Sequence, residues 1–314
     1  MTAPTHSYQK VFYDLRPAKQ VERKMILDIL QQLAEGGFAL RDYQYTGLGS
    51  IYFVDFMLLH RLLGLRKLLS VEIAASAERR VRFNKPFGDV DIQIGAIGDV
   101  LPSLDRDLQH LVWLDYDHRL APSDLQDIVL AAQVLSVGSV LLITIDVEPP
   151  EDGQTPAEWR RYYETIAGDF LPFDVTMDHF SRSSLGHTAA RIITNAIRQG
   201  IVGRPSLLYF QLFSFLYADG HQMLTVGGMF GGEAEARRLE GSRLPQCPFV
   251  RQDPEGPPFE IKVPKLTRKE RICLDQNMPC GDEWVPPDFD ISADELAQYR
   301  AIYRHYPLYG ELLI

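Results

Sequence analysis

The residues best suited to chemistry fall at intervals between Tyr45 and Asp146. The first group is Tyr45-Thr46-Gly47-Leu48-Gly49-Ser50, whose two spaced glycines let backbone approach a ligand closely because no side chain intervenes. Glu72, Gly98-Asp99, Asp115-Tyr116-Asp117-His118 and Asp146 follow. Carboxylates at these places can accept charge-assisted hydrogen bonds, and Asp117 or His118 can take up a proton. Each is a weak signal alone: G-x-G-S occurs in many loops, and one acid at a strand end is commonly a solvated rim. Their order along the chain carries more, provided that regular elements deliver them to one place.

Short apolar runs alternate with amphipathic stretches through the first two thirds of the chain, the pattern of a parallel sheet covered by helices. An opening helix is expected from Pro17, with Val21, Met25, Ile29 and Leu33 on one face and Gly36-Gly37 as its stop. A strand near 43–46 then enters the glycine group, and Ser50 is read as the cap of a helix over 51–63 closed by Gly64. Strands follow at Lys67 to Val71, Val90 to Ile94, Leu111 to Leu114 and Val140 to Ile145, each with one of the acids at or soon after its end. Ser123 and Gln126 have capping-box spacing, as do Thr155 and Glu158. The pattern then changes. Ser206 to Tyr217 and Gln222 to Phe230 flank Asp219-Gly220, a hairpin whose strands must be antiparallel.

Composition limits the function classes. The 314 residues carry 42 Asp and Glu against 32 Lys and Arg, a net charge of -10, which disfavours bulk affinity for nucleic acid or an anionic membrane. A local basic groove stays open; Arg16, Lys19, Arg23 and Lys24 on the opening helix, and Arg79, Arg80, Arg82 and Lys85, are cations that would suit a ligand carboxylate or an acidic acceptor, the second cluster reading rather as a helix face balanced by neighbouring acids. Three cysteines, Cys247, Cys273 and Cys280, make no C-x-x-C pair, so neither a disulfide framework nor a zinc site is indicated. Met1 to Tyr13 has no signal-peptide core, and no run approaches the roughly 18 apolar residues of a membrane span, so the expected location is cytoplasmic.

Five βα units closed by a hairpin resemble the class I S-adenosylmethionine-dependent methyltransferases over roughly residues 40–230. A finer resemblance, to bacterial proteins labelled putative O-methyltransferases, rests on Leu15-Arg16-Pro17-Ala18-Lys19, on Thr46 to Phe53 with His60-Arg61, and on a helix over Tyr299 to Tyr306. The resemblance implies a Rossmann-like seven-stranded sheet over 41–230, an N-terminal helical segment over 1–40 and a C-terminal extension over 231–314. It implies S-adenosylmethionine as cofactor, with Tyr45, Thr46, Gly47, Gly49 and Ser50 beside its methionine part, Glu72 on the ribose, Gly98 and Asp99 at the adenine, and Asp115 and Tyr116 facing the transferred methyl. In the family an acid usually opens the glycine motif, where this chain has Tyr45. Asp115, Asp117 and His118 are the catalytic candidates, Asp117 or His118 as general base.

The resemblance leaves the acceptor open: a small molecule is favoured on charge, with protein and RNA alternatives, and no membrane partner is expected. Asp115 and Asp146 also match the acidic ligands of magnesium-dependent relatives, although Val147 stands where an amide ligand belongs and Glu148 is the nearest substitute. Two other readings remain: a silent cofactor-binding subunit, and a dinucleotide-binding Rossmann protein, against which Tyr52 occupies the third glycine position of G-x-G-x-x-G. Beyond the hairpin, 231–258 reads as a loop or linker, and Ser292 with Glu295 caps a last helix whose aromatic stripe suits core or a homodimer contact.

Overall fold

The computed structural model describes residues 16–148 and 155–307. Leu15 of the motif before the opening helix, the segment 1–13 and the end of the C-terminal extension lie outside the described residues.

The strands are β1 (Gln44–Leu48), β2 (Lys67–Glu72), β3 (Val90–Ile94), β4 (His110–Arg119), β5 (Val140–Asp146), β6 (Leu208–Asp219), β7 (His221–Gly231) and β8 (Phe259–Ile261). They form one sheet in the order β3-β2-β1-β4-β5-β7-β6-β8. The first five are parallel, and β7 is antiparallel to both β5 and β6. The expected sheet with its closing hairpin is therefore present. The C-terminal extension adds β8, parallel to the end of β6, a three-residue strand too short to show as a periodic run.

Side chains alternate across the sheet with period two. Leu111 and Trp113 face α1 (Pro17–Glu35), α2 (Val54–Leu58) and α3 (Glu78–Phe83), whereas Val112 and Leu114 face α4 (Ile97–Val100), α5 (Pro122–Val134), α6 (Pro156–Ala167) and α7 (Leu185–Ile201). Helix α1 lays its apolar stripe, Val21, Met25, Ile29 and Leu33, on the first face, and all four are fully buried. Beyond the sheet, α8 (Glu233–Glu240) follows β7, while α9 (Arg268–Asn277) and α10 (Ala293–Ile302) share a separate cluster around Leu274, Leu296 and Tyr299.

Several local expectations change. Ser50 does not cap α2; Phe53 does, in the left-handed region at φ 50, with a short π-helix over Leu59–Leu63 continuing to Gly64 at φ 73. Helix α5 is opened by Asp124, whose carboxylate accepts from Ala121 N at 2.8 Å, and not by the Ser123 and Gln126 pair. The expected linker 231–258 contains α8. Strand β4 does not stop at Leu114: it continues through Arg119 with an irregularity after Asp115. This last difference matters most, since Asp115 to His118 sit on an extended strand end and project alternately to its two faces.

Candidate active site

Strand order reverses between β1 and β4, because β2 follows β1 outward on one side and β4 begins the other half. Open α/β sheets bind ligands in the crevice beyond the carboxyl ends of the strands at such a point. A cleft of about 100 Å³ lies there, with Tyr45, Leu48, Gly49 and Ser50 on the β1 side and Asp115, Tyr116 and Asp117 on the β4 side. Arg16, Lys19 and Arg23 of the α1 region cover it.

The β1 wall is shaped by glycine. Gly49 N donates to Val71 O, and a Cβ on Gly49 would stand 2.8 Å from Glu72 Cβ and 2.9 Å from Val71 O. Gly49 thus lets β1 and β2 close together at their ends, putting Glu72 on the rim beside the cleft. Glu72 is half-buried, and its carboxylate accepts from Ala74 N at 2.8 Å. Gly47 serves a different purpose from the expected one: a side chain there would collide with the ring of Tyr45, not with ligand space. Tyr45 is buried, and its ring meets Phe56 edge-on at 4.8 Å.

The β4 wall is charged, and α1 satisfies it. Lys19 Nζ lies 3.0 Å from Asp115 Oδ1, 3.0 Å from Glu22 Oε2 and 3.1 Å from Tyr217 OH, and 4.8 Å from the centre of the Trp113 ring. Burial opposes the Lys19 charge, but Asp115, Glu22 and Tyr217 outweigh it and hold the ammonium above the usual lysine range. Burial pushes the Glu22 carboxyl up against the pull of Lys19. The network continues inward: Thr225 Oγ1 donates to Glu22, Thr225 and Thr144 hydroxyls are 2.8 Å apart, and Trp113 Nε1 donates to Thr144 at 2.9 Å. Asp219, at the β6–β7 turn, accepts from Ala18 N at 3.0 Å and Lys19 N at 2.8 Å, anchoring the first turn of α1.

On the opposite sheet face, Tyr116 OH donates to Asp127 Oδ2 at 3.0 Å. Burial raises the Asp127 carboxyl, with Asp124 and Asp99 adding to the effect, so Asp99 on α4 belongs to this neighbourhood. His118 lies 3.2 Å from the Asp124 carboxylate and 3.6 Å from that of Asp117. Hydrogen bonding to Asp117 and Asp124 pushes it up to about 10. The two carboxylates thus favour the protonated ring, which works against His118 in the general-base role expected of it or of Asp117. Asp117 remains exposed at the cleft.

Of the residues expected to bind cofactor, the fold brings Tyr45, Gly49, Ser50, Asp115 and Tyr116 into this cleft. Glu72 is outside the lining, next to Gly49 at the end of β2. Thr46 and Gly47 are buried behind it, and Gly98 and Asp99 lie along the same sheet edge, none of these four in the lining. Asp55, Met223, Glu22 and Tyr217 were not anticipated. Lys19 and Arg23 were among the cations singled out on the opening helix, and Glu22 could have been found with them as a charge at helical spacing beside the apolar stripe of α1.

The magnesium expectation does not fit the donor set. Asp115 is paired with Lys19, Asp146 accepts from Glu148 N at 2.6 Å, and Glu148 accepts from Arg182 at 3.1 Å and Gln222 N at 2.9 Å. Among the described residues no three His, Cys, Asp or Glu gather as a metal cluster. The cluster Arg79, Arg80, Arg82 and Lys85 lies outside the cleft lining, with Arg82 bonded to Glu78 at 2.8 Å. Across the first turn of α1 lies a second, half-open cavity of about 820 Å³, lined by Pro17, Tyr217, Asp219, Gln222, Lys262 and Tyr306 among others. No helix among the described residues is long and apolar enough to cross a membrane.

Trm1 from Pyrococcus horikoshii, solved with S-adenosyl-L-methionine, is 14% identical and superposes with a TM-score of 0.48 over 75% of this chain and 61% of that one. This chain therefore spans about three fifths of that protein's length. An O-methyltransferase from Bacillus cereus, in complex with SAH, is 14% identical with a TM-score of 0.39, covering 71% of this chain and 86% of its own. TomG, an O-methyltransferase from Streptomyces achromogenes, is 16% identical with a TM-score of 0.37, over 70% and 90% respectively. No curated protein matches the chain. A family model described as putative O-methyltransferase matches residues 11–314. The chain belongs to that methyltransferase family, and its sheet is the class I methyltransferase sheet.

Proposed function

We propose that the protein transfers a methyl group from S-adenosylmethionine to an oxygen of a small-molecule acceptor. The observation that carries this reading is the cleft at the β1–β4 switch point, where the close packing of Gly49 against the end of β2 leaves Glu72 on the rim.

The residues fit the cofactor in parts. The enclosed space, about 100 Å³, is below the roughly 300–1,000 Å³ of pockets that bury whole drug-sized ligands, so it suits one end of the molecule. The adenosine end would lie along the open edge, its ribose hydroxyls on Glu72 and its adenine toward Asp99. When bound, the cofactor supplies a methyl on a positive sulfur, which leaves as a neutral thioether. The protein's part is to align the acceptor and receive its proton. Asp117, exposed at the cleft, is the proton acceptor in this reading; Asp115, fixed by Lys19, orients the reacting groups. The 820 Å³ cavity at the same sheet edge supports a small acceptor. Residues 41–230 would be the catalytic unit, with 231–314 contributing to that cavity through Lys262 and Tyr306.

Calorimetry with S-adenosylmethionine and its demethylated product, followed by transfer of labelled methyl into fractionated extract, tests the proposal. Binding with label in the small-molecule fraction is expected. Label in RNA or protein would overturn the acceptor class. Binding without transfer would identify a silent cofactor-binding subunit, and no binding would reopen the dinucleotide reading.

A further inference from the structure

The cleft lining carries charges of both signs: Arg16, Lys19 and Arg23 against Asp55, Asp115 and Asp117. Such a lining suits a zwitterion better than a simple anion or cation. Two of the six charges are committed to each other, since Lys19 holds Asp115. Arg23 is committed only in part. Its Nε donates to Asp55 Oδ1 at 2.6 Å and its Nη2 to Asp55 Oδ2 at 3.4 Å. The third nitrogen, Nη1, is buried with no hydrogen-bond partner among the described residues, on a side chain only 4% exposed.

A buried guanidinium nitrogen without a partner is costly, because it has lost water and gained nothing in return. The Arg23 charge itself is secure: burial opposes it, but Asp55 outweighs burial and holds the group above the usual arginine range. What Nη1 lacks is an acceptor. The planar fork of arginine suits carboxylate oxygens in particular. Tyr45 opens the glycine motif in place of an acid, so the cations of α1 meet no carboxylate from that position.

We propose that Arg23 binds the α-carboxylate of the cofactor's methionine, in a closed pocket for the amino-acid head group. This rests on the S-adenosylmethionine reading above. The α-amino group then falls to Asp115, whose side chain is half-buried at the cleft and held on one oxygen by Lys19. Specificity for the intact amino acid would thus come from α1, a helix that precedes the first strand of the sheet.

The test compares S-adenosylmethionine with decarboxylated S-adenosylmethionine, which keeps the sulfonium, the adenosine and the amine. Calorimetry on the full chain should show the wild-type protein favouring the carboxylated ligand at least tenfold. Arg23→Gln should remove most of that preference by weakening S-adenosylmethionine about 10- to 100-fold, with the decarboxylated ligand nearly unaffected. Arg23→Lys, which keeps the charge and loses the fork, should fall between. Equal weakening of both ligands in Arg23→Gln would assign Arg23 a structural role and overturn the proposal, as would a preference that survives the substitution. If Arg23→Gln does not fold, the wild-type comparison decides: equal affinity for the two ligands overturns the carboxylate assignment and leaves the cofactor reading intact. Failure of the wild-type protein to bind either ligand removes both.

Discussion

On the β1–β2 rim, Glu72 is half-buried with a backbone amide as one partner, and the neighbouring Ile73 is 77% exposed. On the α1 side of the cleft, Lys19, Glu22 and Arg23 are almost completely buried and joined to Asp115, Asp55, Tyr217 and Thr225. The rim is only half-buried, so a ligand can reach it from solvent. The α1 side is a closed charge network in which removing one member strands the others. The first region should therefore respond to substitution in affinity alone, and the second in stability as well, with Arg23 expected to show its effect in ligand preference.

The largest expected effect lies on the α1 side. Lys19→Met leaves Asp115 and Glu22 without their shared cation and should cost about 3–5 kcal/mol in chemical denaturation, the range for breaking a buried ion pair. A change below about 1 kcal/mol would mean that α1 does not bury this network. On the rim, Glu72→Ala should weaken S-adenosylmethionine by about 1.5–3 kcal/mol in calorimetry with little loss of folding stability. Unchanged affinity would remove Glu72 from the ribose role, and a large loss of stability would erase the contrast between the two regions.

Gly49→Ala tests the boundary between them. The added methyl meets Val71 O and Glu72 Cβ inside 3 Å, so an overpacking cost of about 1–3 kcal/mol should appear in thermal denaturation, together with weakened binding. Full stability would show that the β1 and β2 ends are not packed as described. The smallest effect concerns His118. Its folded pKa is raised, to about 10, so its stabilisation is fully present below about pH 6.5 and is lost as pH rises through 10. Because its side chain is 51% exposed, solvent screening limits this to a few tenths of a kcal/mol, up to about 1. The melting temperature of the wild-type protein should exceed that of His118→Gln below about pH 6.5 and converge with it above pH 10. A constant gap would detach His118 from its two carboxylates.

The sheet was legible because apolar runs of strand length recur with acids and glycines at their ends. Helix α1 was equally plain, from Pro17 through its fourfold apolar spacing to Gly36. The β4 end was less so: Asp115-Tyr116-Asp117-His118 reads as a polar loop, yet strand pairing to β5 resumes at Arg119 and extends it. Gly47 and Gly49 look alike in sequence, but one yields to the Tyr45 ring and the other to the end of β2.

The amino-acid sequence alone determined the alternation of strands and helices, the closing hairpin and the positions of Gly49, Glu72 and Asp115, because these depend on local periodicity and on turn chemistry. Only the tertiary structure decided that α1 covers the crevice, that Lys19 pairs with Asp115, and that His118 sits between two carboxylates. Those facts depend on which groups meet after the chain has closed, and contacts such as Lys19 with Tyr217 join residues almost two hundred positions apart, a distance over which no local pattern carries information.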